Sequence, residues 1–327
     1  MAQLVLAGIG DYAANARLDK DPDLAVGPDE VLVRMEAAPI NPVDTLFANG
    51  WYPIQPTLPQ RLGSEGVGRV TAAGAAVQRE LVGRRVVLRS PYGGTWGHEI
   101  VVRAADVVVA PEGVDAKQLA MLVINPATAY LMLKRHADLK PGDWVGQNLG
   151  NSAVAASVVA LNKAAGVKTL SVVRSAAAAA AARELGADAV LIEGDDLTAQ
   201  IAEVLGDKRL RLVLDGAATE TVGVLAGALE NGGAVLSYSS VTGTAPVLPL
   251  GDVVFRNVSH HGVWVGAWLL SASAEEVEQV LGELAELVRS GAIAVPVDST
   301  FPLDQFADAF ARNASPERVG KVLFTFD

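Results

Sequence analysis

A two-part α/β chain, a β-rich barrel-like domain followed by a doubly wound parallel sheet, is what this sequence predicts. Its 327 residues are about twice the roughly 150 of an average domain, so two cores are expected. Residues 1–120 carry short β-branched runs broken by Gly and Pro, EVLVRMEAAPINP, EGVGRVTAAG, RRVVLRS and EIVVRAADVVVAPEG. That is the texture of a mostly antiparallel barrel. From Asp143 onward apolar strand candidates alternate with helix candidates. Strands that are apolar on both sides, separated by helices, build a parallel sheet covered on both faces.

Along the chain, the texture changes near Lys117, where QLAMLVINPATAYLMLKRHADLKPGD reads as helical segments closed by a Pro-Gly turn. A second domain is therefore expected over 121–270. Within it WVGQNLG, TLSVVRS, DAVLIEG, RLVLDGA, AVLSYSS and SHHGVWV read as strands. SAVAASVVALNKAAG, AAAAAAARELG, DLTAQIAEVLG and ETVGVLAGALENGG read as the helices between them. About six strands suit two mononucleotide-binding halves. The alanine tract is a helix because Ala has the highest helix propensity. After Trp268 a helix is expected from Ser273 and Glu276 as a capping box, with Val277, Val280, Leu281, Leu284, Leu287 and Val288 on one stripe and Gly291 at its end. The tail, 271–327, returns to β-like runs and is expected to complete the first domain.

Composition narrows the function. With 26 Lys+Arg against 37 Asp+Glu the net charge is −11, which repels nucleic acid and anionic membrane surfaces. Cysteine is absent, excluding disulfides, thiolate catalysis and Cys-containing zinc sites, and fitting a reducing compartment. Half the residues are hydrophobic, yet runs such as Val263–Leu270 and Ala176–Ala182 fall far short of the ~20 residues that span a bilayer. No basic side chain precedes Arg17, so the start lacks the charged region of a signal peptide. A cytoplasmic protein with a small-molecule substrate is expected, with no nucleic-acid or membrane partner.

In a doubly wound sheet the first strand-to-helix turn receives a pyrophosphate at a helix N-terminus. Here that turn is QNLGNSAVAA, Gln147–Ala156. Ala153 and Ala155 stand where glycine would allow close approach, while Asn151 and Ser152 offer side-chain donors. A strand-to-helix loop with no ligand is the plainer reading. The second strand ends at Arg174 and Ser175, where an NAD enzyme would carry Asp or Glu for the ribose hydroxyls. A guanidinium there suits a 2′-phosphate, so NADPH is expected over NADH. An Arg at a strand end is also often only a solvated residue.

The segment INPVDTLFANGWYPIQPTLPQRLGSEGVGRV, Ile40–Val70, resembles the amino-terminal signature of the medium-chain dehydrogenase/reductase superfamily. With NPATAYLML, LKPGDWVGQNLGNSAV, TLSVVRS, GGAVLSYSSV, HHGVWVGAW and GKVLFTF, the resemblance covers nearly the whole chain and is closest to the zinc-free 2-enoyl thioester reductases of the mitochondrial type. It implies a GroES-like β domain and a Rossmann domain, NADPH as cofactor, and enoyl-CoA or enoyl-acyl-carrier-protein as substrate. It places Tyr52 on the family's catalytic tyrosine, Asn125 and Thr128 on cofactor contacts, and Asn151, Ser152, Ala153 and Val154 on the pyrophosphate turn. Arg174 and Ser175 match the 2′-phosphate site. Tyr238, Ser239, Ser240 and Val241, with Val263, Trp264 and Val265, match segments along the nicotinamide, and Lys321 matches a contact from the tail. A homodimer is implied, since relatives commonly pair through the strand edge near Trp264.

The chemistry asks for a proton donor or enolate stabiliser beside the acceptor. A phenol, with an ordinary pKa near ~10, stays protonated at neutral pH and can serve. On spacing alone, Trp51 and Tyr52 beside prolines read as loop packing; the resemblance reverses that preference. An NADPH:quinone oxidoreductase on the same fold is the alternative, and a non-catalytic NADPH-binding sensor a second. No metal site is expected, because neither Cys nor His stands near Asp44 and Ser64, and Asp44 and Glu65 read as turn and barrel residues. His98 reads as half-buried, and His260 and His261 as strand neighbours on opposite faces. Asp215 beside Gly216 reads as turn chemistry, and Ser239 and Ser240 as nicotinamide neighbours and not nucleophiles. Trp264 and Trp268 either line an acyl pocket or stabilise a subunit contact.

Overall fold

The computed structural model describes residues 1–89, 94–240 and 243–326. It divides into two compact units, Met1–Ile124 with Gly266–Asp327, and Asn125–Val265.

In the first unit β1 (Gln3–Leu6) pairs antiparallel with β2 (Ala16–Asp19), which follows the short α1 (Tyr12–Asn15). β3 (Glu30–Pro39) leads to α2 (Pro42–Ala48), and β4 (Gln60–Arg61) returns to β1. The small sheet β2-β1-β4 was not among the expected elements; its strands are too short for alternation to show. β5 (Val67–Ala73), β6 (Arg85–Leu88), β7 (Glu99–Arg103) and β8 (Val107–Val109) are the expected barrel strands. In β3, Val31, Val33, Met35 and Ala37 are buried while Glu30, Leu32, Arg34 and Glu36 lie outward. This period of two builds a core with Val70, Val86, Leu88, Ile100, Val102 and Val107. β5 approaches β3 closely because position 68 is glycine: a Cβ there would lie 2.5 Å from the Arg34 carbonyl oxygen.

The chain passes through α3 (Ala116–Ala120) and enters the second unit at α4 (Asn125–Arg135). There follow β9 (Trp144–Gln147), α5 (Ala153–Ala164), β10 (Lys168–Val173), α6 (Ala176–Glu184), β11 (Ala189–Ile192), α7 (Leu197–Leu205), β12 (Leu210–Asp215), α8 (Thr221–Gly227), β13 (Leu229–Ser237), α9 (Leu250–Arg256) and β14 (Ser259–Gly262). The described residues form one sheet in the order β11-β10-β9-β12-β13-β14, every pair parallel. Two three-stranded halves thus meet at β9 and β12, the order expected of a doubly wound dinucleotide fold. Glu-Asn-Gly-Gly at 230–233 lies within β13 and not in the preceding helix. Glu230 is held there by an ion pair with Arg211 of β12, and the register shifts beside it.

Beyond β14 the structure departs from the sequence reading. The strand stops at Gly262, and Val265–Ser271 forms a helix, α10, although its Val-Trp run has strand texture. In α11 (Ala274–Arg289) the Ser273 hydroxyl accepts from the Glu276 N–H at 3.2 Å. The Glu276 carboxylate accepts the Trp268 indole N–H at 2.8 Å. Trp268 is buried and joins α10 to α11. β15 (Val297–Phe301), α12 (Phe306–Ala314) and β16 (Lys321–Thr325) close the chain. β16 lies antiparallel to β3 and parallel to β15, giving β15-β16-β3-β5-β6-β8 with β7 also on β3. No helix among the described residues is long and apolar enough to cross a membrane.

Candidate active site

The carboxyl ends of β9, β12 and β13 are tied together by one buried carboxylate. Asp215, fully buried at the end of β12, accepts from the Asn148 amide at 2.6 Å, the Ala217 and Ala218 N–H groups at 3.2 and 2.9 Å, and the Ser237 hydroxyl at 2.8 Å. The Asn148 carbonyl in turn accepts from Gly216 N–H at 2.8 Å. Both oxygens of this buried carboxylate thus have donors, as a buried charge requires. Asp215 is the turn residue the sequence indicated. His260 lies 2.9 Å from the Ser237 hydroxyl, and His261 lies beside His136, ring centroids 5.7 Å apart.

The turn after β9 is tight where it faces β10. Leu149 adopts φ +48°, and a Cβ on Gly150 would lie 2.6 Å from Ser171 Cβ. Ser152 caps α5, its hydroxyl accepting the Ala155 N–H at 3.1 Å. Asn151 is exposed, Ala153 half-buried, Val154 and Ala155 buried. Ser152 is also hydrogen-bonded to the half-buried Tyr238 phenol, whose pKa burial pushes up to about 12 against the lowering effect of that bond. Tyr238 lies over bare backbone: a Cβ on Gly216 would sit 2.5 Å from its hydroxyl oxygen. Ser152 and Tyr238 thus meet at the N-terminus of α5.

Arg174 and Ser175 follow β10 directly and are exposed; Ser175 caps α6, accepting from Ala178 N–H at 3.2 Å. Asn125 and Thr128 lie buried in the first turn of α4. Ser239 is half-buried, and the exposed Ser240 donates to the Thr244 carbonyl at 3.0 Å. Val241 lies outside the described residues. The Val263 N–H donates to the Ser237 carbonyl at 2.9 Å, Trp264 is half-buried, and Val265 opens α10.

In the first unit Tyr52 lies half-buried in the loop after α2. The loop leaves the helix through Gly50 at φ +72°, a conformation glycine adopts without strain. The Gln55 amide fastens it, donating to the carbonyls of Gly50 at 3.1 Å and Tyr52 at 2.7 Å. Beneath α2 is a buried polar cluster that the sequence analysis did not assemble. Asp44 accepts from the Asn41 N–H at 2.7 Å. Glu65 Oε1 accepts from the Asn41 amide at 2.8 Å, and Oε2 from Val123 and Ile124 N–H at 3.0 and 2.9 Å. The Lys321 ammonium donates to Asn41 Oδ1. All four side chains are at most 8 % exposed. Burial pushes Asp44 up to about 6 and Glu65 up to about 7, and Lys321 down to about 8; the Lys321 charge opposes the rise in both acids. Asn-Pro-Val-Asp, an N-cap pattern with Pro at the first helical position, was the available signal for the Asn41–Asp44 part; the partners at 65 and 321 are too distant in sequence to be read.

Residues 27–112 match the Alcohol dehydrogenase GroES-like domain and 185–323 the family described as Zinc-binding dehydrogenase. The chain is 31 % identical over 318 residues to the mitochondrial enoyl-[acyl-carrier-protein] reductase of Rattus norvegicus, covering 96 % of this chain and 85 % of that protein. It is similar in structure to a Bacillus thuringiensis protein assigned as an NADPH:quinone reductase, TM-score 0.90 at 25 % identity over 100 % of this chain and 99 % of the other. It shares the fold of a mitochondrial 2-enoyl thioester reductase heterodimer from Candida tropicalis, TM-score 0.87 at 24 % identity over 99 % of each. The zinc of the family description does not fit these residues. The sequence has no cysteine, no three His, Asp or Glu among the described residues gather as a metal site, and the Asp44 and Glu65 carboxylates are taken up by N–H donors. The fold, the capped turn after β9 and the similarity along almost the whole chain lead to one assignment: the protein belongs to the medium-chain dehydrogenase/reductase superfamily, beside the zinc-free 2-enoyl thioester reductases and quinone oxidoreductases.

Proposed function

We propose that the chain reduces the activated C=C bond of trans-2-enoyl thioesters, with Tyr52 as proton donor or enolate stabiliser. The protein is an NADPH-dependent oxidoreductase, and its residues fit that cofactor. The N-terminus of α5, capped by Ser152, offers N–H groups to a pyrophosphate. Arg174 offers a guanidinium for the 2′-phosphate at a strand end that carries no carboxylate to repel it. Asn125, Thr128, Asn151, Ala153, Val154, Ser175, Tyr238, Ser239, Ser240, Val241, Val263, Trp264 and Val265 complete the proposed cofactor site. When bound, the cofactor supplies hydride to Cβ of the substrate. The protein's part is to hold the acceptor in place and to steady the negative charge that develops on the thioester oxygen, which a neutral phenol does by donating a hydrogen bond or its proton.

Tyr52 in a loop locked at its own carbonyl by Gln55 is the observation that carries the enoyl reading, because a proton donor must be fixed before it can be aimed. Tyr52→Phe tests it: kcat on crotonyl or longer enoyl thioesters is expected to fall by ~10²-fold with unchanged thermal unfolding. Undiminished turnover refutes the role. Quinone reduction is the second reading, favoured by the similarity to the Bacillus thuringiensis protein; it wins if quinones are turned over far more efficiently and Tyr52→Phe leaves them unaffected. NADPH binding without turnover of any acceptor leaves a sensor. A homodimer is part of the proposal: β14 ends the sheet with His260, His261 and Gly262 exposed, and Leu250 and Phe255 of α9 are 75 % and 86 % exposed, an apolar edge suited to a second copy. A cytoplasmic location is also proposed, to be checked by fractionation, since the curated relative is named mitochondrial.

A further inference from the structure

Three adjacent strands of the second unit, β12, β13 and β14, each place one polar side chain on the same face of the sheet, and the three touch in series. Asp215 of β12 stands in register with Ser237 of β13, and His260 of β14 in register with Val235, two residues before Ser237. Residues two apart on a strand share a face. The Ser237 hydroxyl lies 2.8 Å from Asp215 Oδ2 and 2.9 Å from His260 Nε2. The series runs from the interior to the sheet edge: Asp215 is fully buried, Ser237 half-buried and His260 exposed. Ser237 is also a main-chain junction. It immediately precedes Tyr238, whose N–H donates to the Asp215 carbonyl at 3.0 Å, and its own carbonyl accepts the Val263 N–H at 2.9 Å.

We propose that His260 is a positioning residue for the cofactor site: its Nε2–H donates to Ser237 and commits the single Ser237 hydroxyl proton to Asp215. The role rests on the reading of Tyr238, Ser239 and Ser240, with Val263, Trp264 and Val265, as the segments along the nicotinamide, since Ser237 is the residue that joins them. The ground for it is a count of protons. A carboxylate only accepts, whereas a hydroxyl has one proton to give and lone pairs with which to receive. Asp215 Oδ1 has the Asn148 amide and the Ala217 and Ala218 N–H groups, while the donor to Oδ2 is Ser237. With its proton given to Asp215, Ser237 can bond to the imidazole only as an acceptor. Neutral His260 is therefore the Nε2–H tautomer, and Nδ1 carries the lone pair. The same count removes a nucleophilic role for Ser237, because no imidazole lone pair faces its hydroxyl to withdraw the proton. An acceptor in place of the imidazole would compete with Asp215 for that proton and leave a buried carboxylate oxygen without its donor.

Two measurements on the full-length protein test this. The first is the proton–nitrogen correlation spectrum of the imidazole rings, with the His260 signal assigned by its absence in His260→Gln. The Nε2–H tautomer is expected, and the Nδ1–H tautomer overturns the proposal. The second is NADPH affinity by fluorescence titration, with thermal unfolding of each variant. His260→Gln sets an amide donor where Nε2 stands and is expected to bind within about twofold of wild type. His260→Leu, with no donor, is expected to be about threefold weaker, and His260→Glu, an acceptor, about tenfold weaker. In a Ser237→Ala background the three variants should converge to within about twofold. His261→Glu, which adds the same charge on the opposite face, should bind as wild type does. Equal affinity of His260→Glu and wild type overturns the proposal. So does a spread that persists without the Ser237 hydroxyl, since position 260 would then act on the cofactor through its charge. Should His260→Glu fail to fold, His260→Leu against His260→Gln decides: a threefold difference supports the role and equal affinities reject it. Absence of NADPH binding in wild type removes the cofactor reading and the positioning role with it, whereas an Nδ1–H tautomer with normal NADPH binding removes the positioning role alone.

Discussion

The polar cluster under α2 and the polar layer at the ends of β9, β12 and β13 solve the same problem in opposite ways. Under α2, two carboxylates and an ammonium are buried together, and burial moves all three from their ordinary pKa values. At the strand ends, a single carboxylate, Asp215, is surrounded by N–H, amide and hydroxyl donors with no cation among the bonds it accepts. Shifted pKa values in a buried cluster ordinarily mark a functional site. Here they mark the cluster that caps α2 and takes up the Val123 and Ile124 N–H groups. The lesson is that charge can be buried to fix a backbone.

The sharpest way to break this contrast is Asp215→Ala. It removes the acceptor shared by four donors, and a loss of about 3 kcal/mol in unfolding free energy is expected, read by chemical denaturation. A loss below about 1 kcal/mol would show that water satisfies the layer. Next in size is Arg174→Ala, expected to weaken NADPH by roughly 30-fold, about 2 kcal/mol, and to leave NADH nearly unchanged; equal losses would free Arg174 from the extra phosphate. Gly216→Ala is expected to cost about 1–2 kcal/mol by pushing on Tyr238, and the cost should vanish in a Tyr238→Ala background. The last test is a pH slope. Burial raises the Glu65 pKa to about 7 in the folded protein, against ~4.5 when unfolded. Between these values the unfolded chain binds fewer protons, so stability should fall as pH rises, and Glu65→Gln should flatten that fall.

Much of the fold was legible because it is written in local periods. The alternation in β3, the alanine helix α6 and the six strands from Trp144 to Gly262 follow from patterns within a dozen residues, and so does the Ser273 cap. Asp215 was readable from Gly216 beside it. What was not readable required distant partners. Trp268 took Glu276 as its partner across a helix junction, turning a strand-like run into α10. Lys321 met Asn41 from the other end of the chain, a pairing no window of sequence contains. Ser152 was anticipated as a donor in the turn; that its hydroxyl also accepts from Ala155 and meets Tyr238 could not be read from the sequence.

The turn after β9 is unequal along its length. At position 150 there is no room for even one carbon beyond the main chain, since Ser171 already fills that volume. Ala155 carries its methyl group wholly inside, so the first turn of α5 accommodates one carbon where the dinucleotide fingerprint ordinarily has glycine. A search for distant kin that demands three glycines would therefore pass over chains built this way. One that demands a glycine at the strand's exit, and merely a small residue where the helix begins, would find them.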